Sequence, residues 1–172
     1  MGRFLKQQFP SGWQIDLVTD GHETNSLGRK LNDMAARSSS EFLIVWDDDD
    51  LYTPSRIAKQ VQPLLDNPAL LITGTSQIVY KDSQSCRVFR YSGNSSWIGA
   101  LAFRRSAWES CKFEDFSAGV DTKWLLGFAP GETLDLRDDS MFLAAIHPQN
   151  TCRKHTSGKE WQELSGVPEY LK

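Results

Sequence analysis

The chain has 172 residues, of which 40% are hydrophobic and 24% charged, with a formal net charge of −3 at pH 7. This length and composition predict a single globular domain over residues 1–172. The slightly negative charge argues against a general nucleic-acid binder. The sequence has no apolar run long enough to span a membrane.

The predicted elements alternate between helices and strands, as in an α/β fold. In chain order they are the end of a helix at 3–9, a buried strand at 14–19, a helix at 25–38, a strand at 41–46, a helix at 54–66, strands at 70–81, 86–91 and 99–103, helices at 105–110 and 120–127, and a strand at 141–147. Residues 148–172 are predicted to form a polar, mobile C-terminal tail.

Three cysteines, Cys86, Cys111 and Cys152, are odd in number and lack the spacing of a metal site. They are interpreted as reduced structural thiols. The first residues also lack the apolar segment of a signal peptide. These features predict a cytoplasmic protein.

The most informative motif is the run of four aspartates from Asp47 to Asp50, directly after the apolar segment FLIVW at 42–46. That segment predicts a strand buried on both faces of a sheet. Carboxylates clustered at its end repel one another unless a cation lies among them, and ligands of open α/β sheets bind beyond the carboxyl ends of the strands. Oxygen ligands favour Mg²⁺ or Mn²⁺. The alternative is an acidic loop that caps the next helix, which Thr53 and Pro54 would begin.

Three stretches in this order resemble family 2 glycosyltransferases, which have the GT-A fold. They are FLKQQFPSGWQIDLVTDG at 4–21, LGRKLNDMAARSSSEFLIVWDDDDLYTPSRIAKQV at 27–61 and GALAFRRSAWESCKFEDFSAGVDTKWLL at 99–126. The resemblance implies a Rossmann-like mixed sheet flanked by helices. It also identifies the aspartate run as the family's DxD-type metal motif.

In that family a first strand, absent here, lies between the predicted strands at 14–19 and 41–46. This chain begins at Met1, partway into the helix that follows that strand. The resemblance therefore implies an N-terminally truncated GT-A-like domain. A sheet without an inner strand exposes unpaired backbone groups, which a partner chain would satisfy.

The resemblance assigns the metal to Asp49, the last aspartate of the DxD motif, and to a late histidine, His147. Asp48 or Asp47 is expected to meet the ribose, so both are candidates for binding the nucleotide sugar, whereas Asp50 is expected only to cap the following helix. The alternative for His147 is a surface histidine at the end of a strand.

Asp121 matches the general base that removes the proton of the acceptor hydroxyl, although the family's Glu-Asp pair is reduced here to the aspartate. Its alternative role is the N-cap of the helix that follows. Asp20 and Arg29 match positions that hold the nucleotide, and Arg29 is otherwise a solvated cation on a helix surface.

Other residues carry more than one interpretation. Arg56 is expected to contact phosphate or to pair with the aspartates. Trp97 and Trp124 are candidates for stacking on sugar rings or for core packing. Residues 153–155 form either a lid over the diphosphate or part of a solvated tail.

The resemblance thus implies a metal-dependent inverting glycosyltransferase that uses a nucleotide-sugar donor and a saccharide, lipid-linked or protein hydroxyl as acceptor. The main alternative is a catalytically impaired relative that binds nucleotide or a partner. A nucleotidyltransferase is a third possibility, but the sequence contains no glycine-rich phosphate loop.

Overall fold

The computed structural model describes residues 7–9, 11–20, 25–93, 100–150 and 154–172, and these form a mixed α/β structure. The helices are α1 (Leu27–Arg37), α2 (Arg56–Asp66), α3 (Arg105–Ser110) and α4 (Val120–Leu125), with a short 3-10 helix at Glu169–Leu171. The strands are β1 (Phe42–Ile44), β2 (Leu51–Tyr52), β3 (Ile72–Gly74), β4 (Ile78–Asp82), β5 (Val88–Tyr91), β6 (Ala102–Arg104), β7 (Thr133–Asp135), β8 (Phe142–Ile146) and β9 (Trp161–Leu164).

The strands form two sheets. The first has the order β1-β6-β3-β7, in which only β3 and β7 run parallel. The second has the order β2-β8-β4-β5-β9, in which only β4 and β8 run parallel. The aspartate run connects β1 of the first sheet to β2 of the second, so the loop of interest lies where the two sheets meet.

One edge of β1 has no hydrogen-bonded neighbour among the described strands. Outside the strand, Val45 donates its N–H to Leu101 and Glu41 accepts from Arg105, so alternate residues face β6. Phe42 and Ile44 therefore direct their backbone groups towards the open edge.

Two amphipathic helices cover these sheets. Leu31 and Ala35 of α1, and Val61 and Leu64 of α2, are buried because apolar residues recur at helical spacing along one face of each helix. Within the part of the chain that the structure describes, none of the helices is long and apolar enough to cross a membrane.

Trp124 belongs to the core, as one of its two interpretations predicts. It is 3% exposed, its ring packs against Phe103, Phe113 and Phe128, and its Nε1 donates to the Cys111 carbonyl. Stacking of Trp124 on a sugar is therefore ruled out. Trp97 lies outside the described residues.

The predicted strand at 14–19 does not form. Ile15 and Leu17 are instead 38% and 45% exposed. An alternating apolar pattern produces a strand only where a neighbouring strand supplies hydrogen bonds, and none of the described strands pairs with this segment. The predicted end of a helix at 3–9 is also absent from its described residues, 7–9.

The predicted strand at 70–81 divides into β3 and β4, which lie in different sheets. The chain crosses between them at the buried polar residues Thr75 and Ser76. Ser76 donates its N–H to Asp135 and Thr75 donates its hydroxyl to the Asp138 carbonyl. These side-chain bonds replace the ladder at the crossing, a change that apolar periodicity does not reveal.

The C-terminal segment is polar, but it is not simply a mobile tail. β9 pairs with β5 over four residue pairs, and Leu171 is buried near the end of the chain. Trp161 of β9 packs against Tyr80 and Tyr91 of the second sheet. The short strands β2 and β7 were likewise not predicted, because strands of two or three residues are too short to show an alternating apolar pattern.

Gly28 is the point of closest approach between α1 and the segment before α4. Its N–H donates to the Phe116 carbonyl, and a Cβ at this position would lie 1.8 Å from the carbonyl oxygen of Glu114. We expect Gly28→Ala to destabilise the fold by about 1–3 kcal/mol through overpacking, although alanine is the better helix former. Urea unfolding measures this change.

Gly166→Ala is the matched control, because a Cβ at Gly166 would meet nothing within 4 Å. This control is expected to change the free energy of unfolding by less than about 0.5 kcal/mol. Equal stability of Gly28→Ala and the wild-type protein would show that α1 does not pack against residues 114–116 as described.

Candidate active site

The two predicted metal ligands lie next to each other. Asp49, in the loop between β1 and β2, places its Oδ2 2.7 Å from Nε2 of His147, which directly follows β8. β2 pairs with β8 in antiparallel register, so the end of β8 returns to the aspartate loop. The Asp49 side chain is 39% exposed and the His147 side chain 22%, so both remain open to a ligand.

The His147 ring is held on its other side as well. Its Nδ1 lies 3.2 Å from both the backbone nitrogen and the side-chain Oε1 of Gln149, and its own backbone N–H donates to the Asn150 side chain at 2.7 Å. The hydrogen bond to Asp49 raises the pKa of His147 above its ordinary value. Imidazole ligands of metals normally donate their other ring N–H to an acceptor, and Gln149 Oε1 provides one beside Nδ1.

Asp47 and Asp48 occupy different environments in the same loop. Asp47 is half-buried and donates its backbone N–H to the Tyr52 hydroxyl at 2.9 Å, whereas Asp48 is exposed in the turn. Burial, reinforced by the charge of Asp49, raises the pKa of Asp47, and the charge of Arg56 opposes this shift. The loop thus concentrates negative charge that Arg56 only partly neutralises.

Asp50 does not cap α2, because the N-cap position is Ser55. Its Oδ1 accepts from the Ala145 N–H of β8 at 2.9 Å, and burial raises the pKa of Asp50 to about 7. Thr53 does not cap the helix either, since its hydroxyl donates to carbonyls of residues 140 and 141. The two side chains instead join the loop to the second sheet.

Arg56 is fully buried, so the predicted phosphate contact is wrong. Its Nη2 donates to the Val45 carbonyl at 2.6 Å and its Nε to Gln60 at 2.9 Å. The guanidinium lies 4.0 Å from the Tyr52 ring centroid. Arg56 is thus a buried cation beneath the aspartates rather than a residue that meets the ligand.

Asp121 is the second residue of α4, whose N-cap is Gly119 at a φ of 70°. The alternative of an N-cap role is therefore wrong. Asp121 is 7% exposed, and its Oδ2 has no hydrogen-bond partner among the described residues. Burial raises the pKa of Asp121, while the charge of Lys154 acts in the opposite direction. The backbone N–H groups of Asp121 and Thr122 also hydrogen-bond to this carboxyl and lower its pKa, so Oδ2 is the unpartnered oxygen. A buried carboxylate with an unpartnered oxygen and a raised pKa is typical of a functional site.

Asp121 is electrostatically linked to the aspartate loop. Its charge contributes to the raised pKa values of Asp47 and of Tyr80 on β4. The segment that leads into α4 is fixed by Asn32 of α1, whose side chain accepts from Trp108 and donates to the Phe113 carbonyl. The sequence did not point to Asn32 or Tyr80, because neither belongs to a recognisable motif.

Lys154 begins the described C-terminal segment and is half-buried, with its Nζ 5.7 Å from the Tyr80 ring centroid. It therefore lies against the second sheet rather than in a solvated tail. His155 is exposed, and Arg153 lies outside the described residues.

Asp20 and Arg29 are not joined to the aspartate loop by the contacts that the structure gives them. Asp20 forms an ion pair with Lys30 of α1 at 3.0 Å. Arg29 has an exposed side chain, and its backbone N–H donates to the N-cap residue Ser26. Their nucleotide-binding roles remain predictions.

The described residues contain no group of three or more His, Cys, Asp or Glu side chains arranged to hold a metal ion. The donors that do meet are one carboxylate oxygen and one imidazole nitrogen, from Asp49 and His147. Mg²⁺ is commonly held by one or two protein ligands, with water and substrate phosphates completing its shell. An open pair of this kind therefore fits a cation that is shared with a phosphorylated ligand.

A family model described as Glycosyl transferase family 2 matches residues 4–115. The matched region contains the aspartate loop, α1 and α2, while Asp121 and His147 lie beyond it. A comparison with curated proteins finds no match to the chain.

Proposed function

Because the chain belongs to glycosyl transferase family 2, we propose that it is a metal-dependent, inverting glycosyltransferase. Its mixed sheets and flanking helices form a GT-A-like fold. The reaction would move a sugar from a nucleotide-sugar donor to a hydroxyl acceptor. The observation that carries the proposal is the contact between Asp49 and His147, which lie 98 positions apart in the sequence.

Asp49 and His147 would hold Mn²⁺ or Mg²⁺ at the junction of the two sheets. A bound divalent cation supplies Lewis-acid stabilisation for the negative charge that develops on a departing diphosphate. Asp47 and Asp48, in the same loop, are proposed to contact the ribose of the donor. Asp20 and Arg29, the latter on α1, are proposed to contact the nucleotide.

Asp121 is proposed as the general base. Its Oδ2 would take the proton of the acceptor hydroxyl while the acceptor oxygen bonds to the anomeric carbon, and the bond from that carbon to the diphosphate oxygen would break with its electron pair. Attack from the face opposite the diphosphate inverts the anomeric centre. Burial of the carboxyl, with Oδ2 unpartnered among the described residues, supports this role, because burial raises its pKa and keeps the carboxylate basic.

We further propose a cytoplasmic location, which is supported by the free thiols of Cys86 and Cys111. A partner strand is proposed to complete the sheet at the edge of β1 that pairs with none of the described strands, the edge that the backbone groups of Phe42 and Ile44 face. The occupant of that edge would add backbone hydrogen bonds without touching the aspartate loop.

The activity is tested by incubating the protein with a panel of nucleotide sugars and Mn²⁺, with and without saccharide acceptors. We expect at least one donor to release its nucleoside diphosphate, and chelation of the metal to stop the release. A protein that binds nucleoside diphosphates but releases none from any donor would be the catalytically impaired relative. A protein that does neither would contradict the proposed function.

A further inference from the structure

The Tyr52 hydroxyl is the centre of the contacts beneath the aspartate loop. It accepts the Asp47 N–H at 2.9 Å and lies 3.5 Å from Asp50 Oδ2, to which it donates. The Arg56 side chain hydrogen-bonds to the same tyrosine. Tyr52 is 5% exposed, and burial raises its pKa, so the hydroxyl keeps the proton that it donates.

Arg56 packs against the ring of Tyr52 and holds it in place. Its guanidinium lies 4.0 Å from the Tyr52 ring centroid and donates to the Val45 carbonyl just before the aspartates. Its Nε donates to Gln60, which in turn donates to the Ala100 carbonyl. The tyrosine therefore rests on α2 and on the residues before β6, which are parts of the rigid core.

The same hydrogen bonds extend towards His147, the second proposed metal ligand. Asp50, which accepts from Tyr52, also accepts from Ala145 two residues before His147. Without such bonds, four adjacent carboxylates would separate from one another in solvent, because their charges repel. The hydroxyl and the buried guanidinium oppose this separation and hold the loop in its turn.

We propose that Tyr52, supported by Arg56, is a positioning residue that folds the aspartate loop into its cation-binding shape before the cation arrives. The inference rests on the proposed function, since it gives the loop a cation to bind. It adds a role for two residues that do not themselves meet the ligand. Tyr52 lowers the free-energy cost of ordering Asp49 opposite His147 when the cation binds.

Tyr52→Phe tests this role while keeping the ring contacts with Trp46 and Phe142. The probe is Mn²⁺ alone, titrated calorimetrically into the wild-type protein and the variant. We expect the variant to bind Mn²⁺ about 10–100-fold more weakly, the usual effect of removing a group that orients metal ligands. Far-UV circular dichroism is expected to remain unchanged.

Tyr80→Phe is the matched control. Tyr80 is also a buried tyrosine near the site, and within the described ranges its hydroxyl makes no hydrogen bond to the aspartate loop. Loss of the Tyr80 hydroxyl is expected to leave Mn²⁺ affinity within about twofold of wild type, because it removes no hydrogen bond that orders the aspartate loop. Equal weakening by both variants would indicate a general loosening of the second sheet and would overturn the positioning role.

Amide hydrogen exchange of the metal-free protein provides a second readout. The Asp47 N–H is expected to exchange more rapidly in Tyr52→Phe than in the wild-type protein, because its acceptor is gone. If wild-type protein binds no Mn²⁺, the proposed metal function fails, and this exchange measurement alone decides whether Tyr52 orders the loop. Unchanged Asp47 exchange, or unchanged Mn²⁺ affinity in a wild type that binds, would overturn the inference.

Discussion

An Asp121→Asn variant is expected to lose about 10²–10⁴-fold in transfer rate, the usual contribution of a general base. Asparagine has nearly the same size and shape, but it cannot take the proton of the acceptor hydroxyl. Binding of Mn²⁺ and of nucleoside diphosphate is expected to stay near the wild-type level, because Asp121 is not among the proposed ligands. Steady-state kinetics with the donor identified by the panel measures the loss.

The same substitution is expected to stabilise the protein at neutral pH. The pKa of Asp121 is raised in the folded state, so the folded protein binds the proton more tightly than the unfolded chain does. Stability attributable to this group is therefore fully present below the unfolded pKa of about 4 and is lost as the pH rises through the raised pKa of the folded state. A higher melting temperature at pH 7 together with lost activity would distinguish a catalytic carboxylate from a structural one.

The pH profile of the wild-type enzyme gives an independent check on the base. Activity is expected to fall as the pH drops through a value above the ordinary range of an aspartate, since only the deprotonated carboxylate accepts the proton. Glu114→Gln is the control, because Glu114 is an exposed carboxylate in the segment before α4 that forms an ion pair with Lys123. A normal rate in Asp121→Asn, or an equal loss in Glu114→Gln, would contradict the assignment.

Asp49→Ala and His147→Ala are each expected to abolish the metal-dependent part of nucleoside diphosphate binding. A ligand at 100 times its dissociation constant stabilises a fold by about 2.7 kcal/mol, which raises the melting temperature of a domain of this size by about 5–10 °C. We expect the wild-type protein to show such a shift only when nucleotide and Mn²⁺ are added together. Both variants are expected to show almost none.

Without ligand, Asp49→Ala is not expected to lower the melting temperature, because it removes one of several mutually repelling carboxylates. Asp33→Ala, which removes an exposed carboxylate on α1, is the control and is expected to keep the full ligand-dependent shift. Stabilisation by nucleotide that persists in Asp49→Ala, or that is unaffected by chelation, would argue against a metal at this loop.

The parts of the fold that follow from the sequence are those with strong local periodicity. The helices α1, α2 and α3, and the strand β8, lie within a few residues of their predicted positions. The meeting of Asp49 with His147 was also expected, although only through the resemblance of the acidic motif to a known family. The membership of the chain in that family confirms the resemblance itself.

The remaining features depend on contacts between distant segments. The buried Arg56 and the Tyr52 hydroxyl bond acquire their roles from packing between α2 and the two sheets, which no local pattern encodes. The segment 14–19 has a strand-like sequence, but among the described residues no strand pairs with it. β9 was not predicted because it contains few apolar residues. It forms a strand because its backbone pairs with β5.

The most direct test asks whether the aspartate loop and His147 ligate the same cation. Pulsed electron paramagnetic resonance of Mn²⁺ added to the wild-type protein answers this question. We expect a single bound Mn²⁺ whose spectrum carries the coupling of a directly ligated histidine nitrogen, and the loss of that coupling in His147→Ala. A wild-type protein that leaves the Mn²⁺ free in solution, or binds it without nitrogen coupling, would contradict the metal site at this junction.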